Sequence, residues 1–264
     1  MSTTRVNRAR EAYHSKDMEA TKKAHSHEAF DKEQNQESYG DYLGDMVYGA
    51  LDGIVTTFAV VAGSSGAGLG AGIIIVLGFA NLLADGLSMA VGNYLSMKSE
   101  QDYYRAEKKR ETWEVENYPE GEVEEIKQIY KRKGYTGQNL EKLVELITSK
   151  KTVWVDTMMV NELGMIDESK DPLKAGAYTL ASFLIVGFVP MIIFVLALFV
   201  PIDSAITFPV AIVLTFITIF VVGSLRSLVI AKHWFNAGLE MFIVGGLTAV
   251  VSYGIGVVLG GLVL

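Results

Sequence analysis

The chain has 264 residues, 50% hydrophobic and 20% charged, with a formal net charge of −7 and no cysteine. The missing cysteines exclude a disulfide framework, a thiolate zinc site and a thiol nucleophile, and the negative balance argues against a nucleic-acid partner. The charges are very unevenly spread: residues 1–40 hold 14, residues 98–174 hold 31, and the stretches 41–97 and 175–264 together hold eight. Uncharged runs of that length predict an integral membrane protein carrying a soluble insert.

Residues 1–40 are polar and lack an apolar core segment, which predicts no signal peptide and a solvated, disordered arm. Its His25-Ser26-His27-Glu28 run contains metal-ligating residue types, but a solvated arm accounts for it better. Residues 41–97 form the first membrane block. Residues 53–84 carry no charge, and the glycine-rich run from Gly63 to Gly70 divides the block into spans at about 42–63 and 70–97. Residues 98–172 are the charged insert, and residues 173–264 hold three more spans within the uncharged runs 175–202, 204–225 and 241–264. Phe199-Val200-Pro201-Ile202-Asp203 reads as the hairpin between the first two of these. The expected fold is all-α: a five-span transmembrane helical bundle with a helical insert between spans 2 and 3.

Lys and Arg placement gives the orientation. The arm holds seven, the insert fourteen and the turn at 226–235 two, whereas the loops at 63–70 and 200–205 hold none. With five spans all three basic regions fall on one side, so the N-terminus and the insert are expected in the cytosol and the C-terminus outside.

An ionisable side chain at bilayer depth is costly and usually functional. Asp41, Asp45, Tyr48, Asp52 and Thr56 follow one another at four, three, four and four residues, which places them on one helical face. Asn81, Asp85, Ser88, Met89 and Gly92 form a similar stripe on the second span. Such stripes can line a route for a cation. Asp41 and Asp45, near the membrane edge, could instead cap a helix or pair with a basic neighbour. Asp52 lies deeper with no Lys or Arg near it in sequence, and Met89 would be ordinary packing but for its place on the stripe.

In the insert the second span continues as a helix until Pro119, followed by helices at about 120–133, 137–149 and 151–164. Glu111 and Glu114 form one Glu-x-x-Glu pair and Glu122 and Glu125 another; residues three apart share a helix face. Met158, Met159 and Glu162 add thioethers and a carboxylate on the last helix. Carboxylates suit hard divalent ions, and added thioethers lean toward Fe(II). No His lies in the insert, which disfavours Zn and Cu. Glu-rich helices with interleaved Lys are also commonly plain solvated faces. The insert holds neither a nucleophile–base set nor a Glu-x-x-His pair, the one such spacing being Glu11 to His14 in the arm, and no phosphate-binding glycine loop precedes a helix with Lys, so nothing points to an enzyme or to an organic cofactor.

Asp52-Gly53-Ile54-Val55-Thr56-Thr57-Phe58-Ala59-Val60-Val61-Ala62-Gly63, together with Ser88-Met89-Ala90-Val91-Gly92-Asn93-Tyr94-Leu95 and Lys98-Ser99-Glu100, resembles the signature of the vacuolar iron transporter family, from about residue 41 to the C-terminus. The resemblance implies a homodimer of five-span subunits in the lipid bilayer, exporting Fe(II) from the cytosol in exchange for protons, with Mn(II) as an alternative substrate. It assigns Asp52 and Met89 to the pathway and Asp45 to a further acid nearer the cytosolic entrance. Glu111, Glu114, Glu122, Glu125, Met158, Met159 and Glu162 match the family's cytosolic metal-binding domain. Two positions depart: Asp41 stands where members carry a Glu, and Asn81 where others carry an acid, which bears on the entrance and on proton coupling. A passive divalent-cation channel and a membrane-anchored metal sensor or store remain open readings. The expected location is a prokaryotic plasma membrane, or a vacuolar membrane in a eukaryote.

Overall fold

The computed structural model describes residues 5–26, 42–167, 170–228 and 233–263, and among these every regular element is helical. In chain order the helices are α1 (Arg5–Ser15), α2 (Met18–Ala24), α3 (Leu43–Gly66), α4 (Ala71–Asn117), α5 (Pro119–Arg132), α6 (Gly137–Thr148), α7 (Lys151–Asn161), α8 (Pro172–Gly187), α9 (Ile192–Leu196), α10 (Ser204–Leu225) and α11 (Trp234–Val263). Among the described residues five helical stretches are long and apolar enough to cross a membrane: Leu43–Gly66, Ala71–Asn117, Pro172–Leu196, Ala205–Leu225 and Trp234–Leu262. α4 has 47 residues, about 70 Å at 1.5 Å per residue. The hydrocarbon core needs only about 30 Å of that, so the charged part beyond Met97 lies outside it.

One local expectation is corrected and two are refined. The arm is helical over its described part: α1 and α2 are rich in Ala, Glu, Lys and Arg, and Asp17 caps α2 by accepting from the Glu19 and Ala20 amides at 2.9 and 3.0 Å. The expected span within 175–202 is present as Pro172–Leu196, with a break inside it. α8 stops at Gly187, a 3-10 turn covers Val189–Met191, and α9 resumes at Ile192. Pro190 explains the break, because it has no amide proton to donate and its ring crowds the preceding turn. The glycine-rich turn is also shorter than its composition implies: helix persists to Gly66, and the reversal is made by Ala67–Gly70 with Gly68 at φ +73°.

The chain divides into two compact units, residues 1–89 with 177–264, and residues 90–176. In the first, α11 packs along both α3 and α10, and α3 also meets α10. Small residues allow the helices to approach closely: a Cβ added to Gly256 would stand 2.0 Å from the Gly63 carbonyl oxygen, and one added to Gly66 2.5 Å from that of Tyr253. Val61, Ile74, Met191, Phe194 and Ala211 form a buried cluster here. In the second unit α5, α6 and α7 close over Val115 of α4 to bury Ile126, Ile129, Leu140, Val144, Ile147, Trp154, Val155, Met158 and Met159. Gly134, at φ +97°, ends the run that follows α5.

Candidate functional site

The insert's carboxylates are brought together by the proline break. Pro119 occupies the first turn of α5, where its missing amide proton costs nothing. Tyr118 N donates to the Glu114 carbonyl at 2.7 Å, and Glu122 N to that of Tyr118 at 3.4 Å, so the chain turns tightly between the two glutamate pairs. Oxygens of Glu111, Glu114 and Glu122 lie within 4.8 Å of one another. Glu111 is 1% exposed and Glu122 5%. Both Glu111 oxygens and Oε2 of Glu122 are buried without a hydrogen-bond partner. Buried carboxylates in that condition are costly unless a cation compensates them.

The electrostatics extend the cluster to Glu125 and Glu162. Glu122 is pushed up to about 7, first by burial and then by Glu125, Glu111, Glu114 and Glu162. Glu111 also rises to about 7, through burial first and Glu162 next, against the lowering effect of Arg110. Glu162, itself on the exposed edge, is raised by loss of hydration and then by Glu125. Five carboxylates on three segments therefore share one field, in which either a divalent cation or protons neutralise the charge.

Met158 and Met159 are both fully buried in the apolar core, packed in one cluster with Val115 and Ile126. Val115 follows Glu111 by one helical turn and Ile126 follows Glu122 by one turn. The two thioethers thus pack among the residues that adjoin the carboxylates, and their burial alone is what a core methionine shows.

Arg110 is a member of the cluster that the Glu-x-x-Glu pattern did not reveal. Its guanidinium lies 2.8 Å from Glu107 Oε2 and 2.6 Å from Glu111 Oε1, and it pairs with Glu114 as well. The contact to Glu111 is an ion pair without hydrogen-bond alignment. The signal was present in the three- and four-residue spacing of Glu107, Arg110 and Glu114.

In the membrane unit Asp45 opens α3 and Asp52 lies two turns further along. The Asp52 carbonyl accepts from the Thr56 hydroxyl at 2.9 Å, so that hydroxyl serves the helix backbone. Asn81 and Met89 are half-buried on α4. Asp85 is close enough to Asp52 for the two charges to interact. Asp41, and His27 and Glu28 of the arm, lie outside the described residues. Three glycines of the last span face neighbours within the chain, Gly238 facing Phe220 and Ser224, Gly256 facing Gly63 and Gly260 facing Ala67, whereas a Cβ on Gly254 or Gly261 would meet nothing within 4 Å. Glu240 pairs with Arg226 at 3.7 Å.

The profile of the VIT family matches residues 43–257. The vacuolar iron transporter of Toxoplasma gondii is 35% identical over 263 residues, covering 95% of this chain and 87% of that protein. The vacuolar iron transporter of Plasmodium falciparum is 34% identical, with 95% of each chain covered. Vacuolar iron transporter 1 of Eucalyptus grandis is 30% identical over 84% of this chain and 89% of its own length. With five membrane-length helices and a profile match over four-fifths of its length, this integral membrane chain belongs to the VIT family.

Proposed function

We propose that this chain is a secondary transporter that exports Fe(II) from the cytosol in exchange for protons, with Mn(II) as the alternative substrate. The observation that carries the reading is the convergence of Glu111, Glu114 and Glu122 within 4.8 Å, with three buried carboxylate oxygens that accept no hydrogen bond and Arg110 as the one ion-pair partner of Glu111 among the described residues. The names of the relatives support iron as the cargo. In this reading the insert takes up a hard divalent ion through these carboxylates, with Glu125 and Glu162 adding to the field and Met158 and Met159 supplying softer contacts. Asp41 and Asp45 receive the ion at the entrance, and Asp52 and Met89 hold it in the membrane after part of its hydration shell is lost. Asn81 modulates the coupling. Glu111 and Glu122 titrate near neutrality, so metal and proton compete for the same oxygens.

The proposed assembly is a homodimer in the bilayer, with N-terminus and insert in the cytosol, no organic cofactor and no enzymatic step. The relatives' name favours a vacuolar membrane and the sequence-based expectation a prokaryotic plasma membrane; in both the metal leaves the cytosol. Purified protein in liposomes under an imposed pH gradient tests the reading, with Fe(II), Mn(II) and lumenal pH followed together. Metal uptake with opposite proton movement is expected. Metal flux without proton movement would favour a passive channel, and metal binding without flux a sensor or store.

A further inference from the structure

Two Asp–Gly dipeptides sit on different membrane helices and press against the same residue. Asp52-Gly53 lies on α3 and Asp85-Gly86 on α4. A Cβ added to Gly53 would stand 2.5 Å from the carbonyl oxygen of Phe183, and one added to Gly86 3.0 Å from Cδ1 of its ring. Phe183, on α8, is 0% exposed. A second clamp lies beside the first: a Cβ on Gly187 would meet the Gly53 carbonyl oxygen at 2.8 Å and Cδ1 of Leu82 at 2.7 Å. These contacts hold α3 and α4 in register through α8. They seat the Asp52-Gly53 and Asp85-Gly86 segments against one residue of α8.

We propose that Asp85 is a further metal-handling residue of the membrane path, forming with Asp52 a two-carboxylate station for a partly dehydrated divalent cation. The inference rests on the transport reading above. No Lys or Arg occurs between residues 33 and 97, so the sequence places no cationic partner near the pair on its own helices. Two carboxylates at membrane depth repel each other and are poorly solvated; one divalent ion cancels both charges. A separate observation points the same way. Nδ2 of Asn81 is buried without a hydrogen-bond partner, a costly state inside a membrane helix unless water or an ion's hydration shell meets it. Asn81, Asp85 and Met89 recur every four residues, so amide, carboxylate and thioether line one face of α4 with Asp85 at its centre.

Initial Fe(II) and Mn(II) uptake into proteoliposomes is compared for the wild type, Asp85→Asn, Asp85→Glu and Asp52→Asn, with folded protein quantified by size-exclusion profile. Asp85→Asn is expected to lower uptake tenfold or more. Asp85→Glu is expected to keep measurable uptake with a shifted KM and a changed Fe(II)-to-Mn(II) ratio, a readout that a purely structural role would not move. Wild-type uptake by Asp85→Asn, beside loss in Asp52→Asn, would overturn the role of Asp85 and leave the transport reading standing. Lower maximal uptake in Asp85→Glu with unchanged KM and metal ratio would also overturn it. Absence of uptake by the wild type would overturn both readings.

Discussion

Replacing Glu122 with Gln separates the cost of the carboxylate cluster from its use. Glu122 is 5% exposed, and its carboxyl is raised from 4.5 to about 7 by burial and by four neighbouring glutamates. A folded-state value above the unfolded one means that the native chain holds the proton more tightly. The associated stability is complete below about pH 4.5 and is lost as pH rises through about 7. At about 1.4 kcal/mol per tenfold change in proton affinity, the ionised carboxylate costs the metal-free insert about 3 kcal/mol at pH 8. Gln keeps the shape and removes the charge, but its amide enters a place where Oε2 already lacks a partner, at a cost of about 1–2 kcal/mol. The expected net effect is a metal-free insert more stable by about 1–2 kcal/mol at pH 8, with no advantage at pH 5. Fe(II) or Mn(II) binding should weaken at least tenfold, because a ligand is lost. Trp154, 7% exposed in the insert core, reports unfolding. Urea titrations of detergent-solubilised full-length protein, with Trp113 and Trp234 replaced by Phe, measure the difference. A variant no more stable than the wild type at pH 8, or equally favoured at pH 5 and pH 8, would refute the argument.

Metal affinity of the full-length protein should rise steeply from pH 6 to pH 8, because Glu111 and Glu122, each near 7, must lose protons to bind; calorimetry in buffers of different ionisation enthalpy should detect proton release, and a flat profile would count against these ligands. Asp52→Asn should abolish liposome uptake while leaving metal binding by the insert intact, and uptake at the wild-type rate would remove Asp52 from the path. Gly256→Ala would drive a Cβ to 2.0 Å from the Gly63 carbonyl oxygen, so backbone must move; a loss of about 1–3 kcal/mol is expected, read as a lower unfolding temperature in detergent.

Membrane character, the number of spans and the helical nature of the insert were legible in the sequence, because each depends on local properties. A run of about 20 uncharged residues spans the hydrocarbon wherever it occurs, and Pro119 and Gly134 stop helices whatever lies around them. Spacing of three residues also put Glu111 with Glu114, and Glu122 with Glu125, on shared faces. Which faces meet was decided by tertiary structure. The turn at Tyr118–Pro119 brings Glu122 to Glu111 and Glu114, and the folded insert leaves Glu111 and Glu122 buried. Arg110 enters the same cluster, although the repeated acids drew attention away from it. In the membrane unit, periodicity drew two polar stripes but could not relate one to the other. Phe183, far along the chain and without chemistry of its own, is where Gly53 of one helix and Gly86 of the other both pack, because helices pack by shape and a glycine's missing side chain is visible only against the neighbour that fills its place.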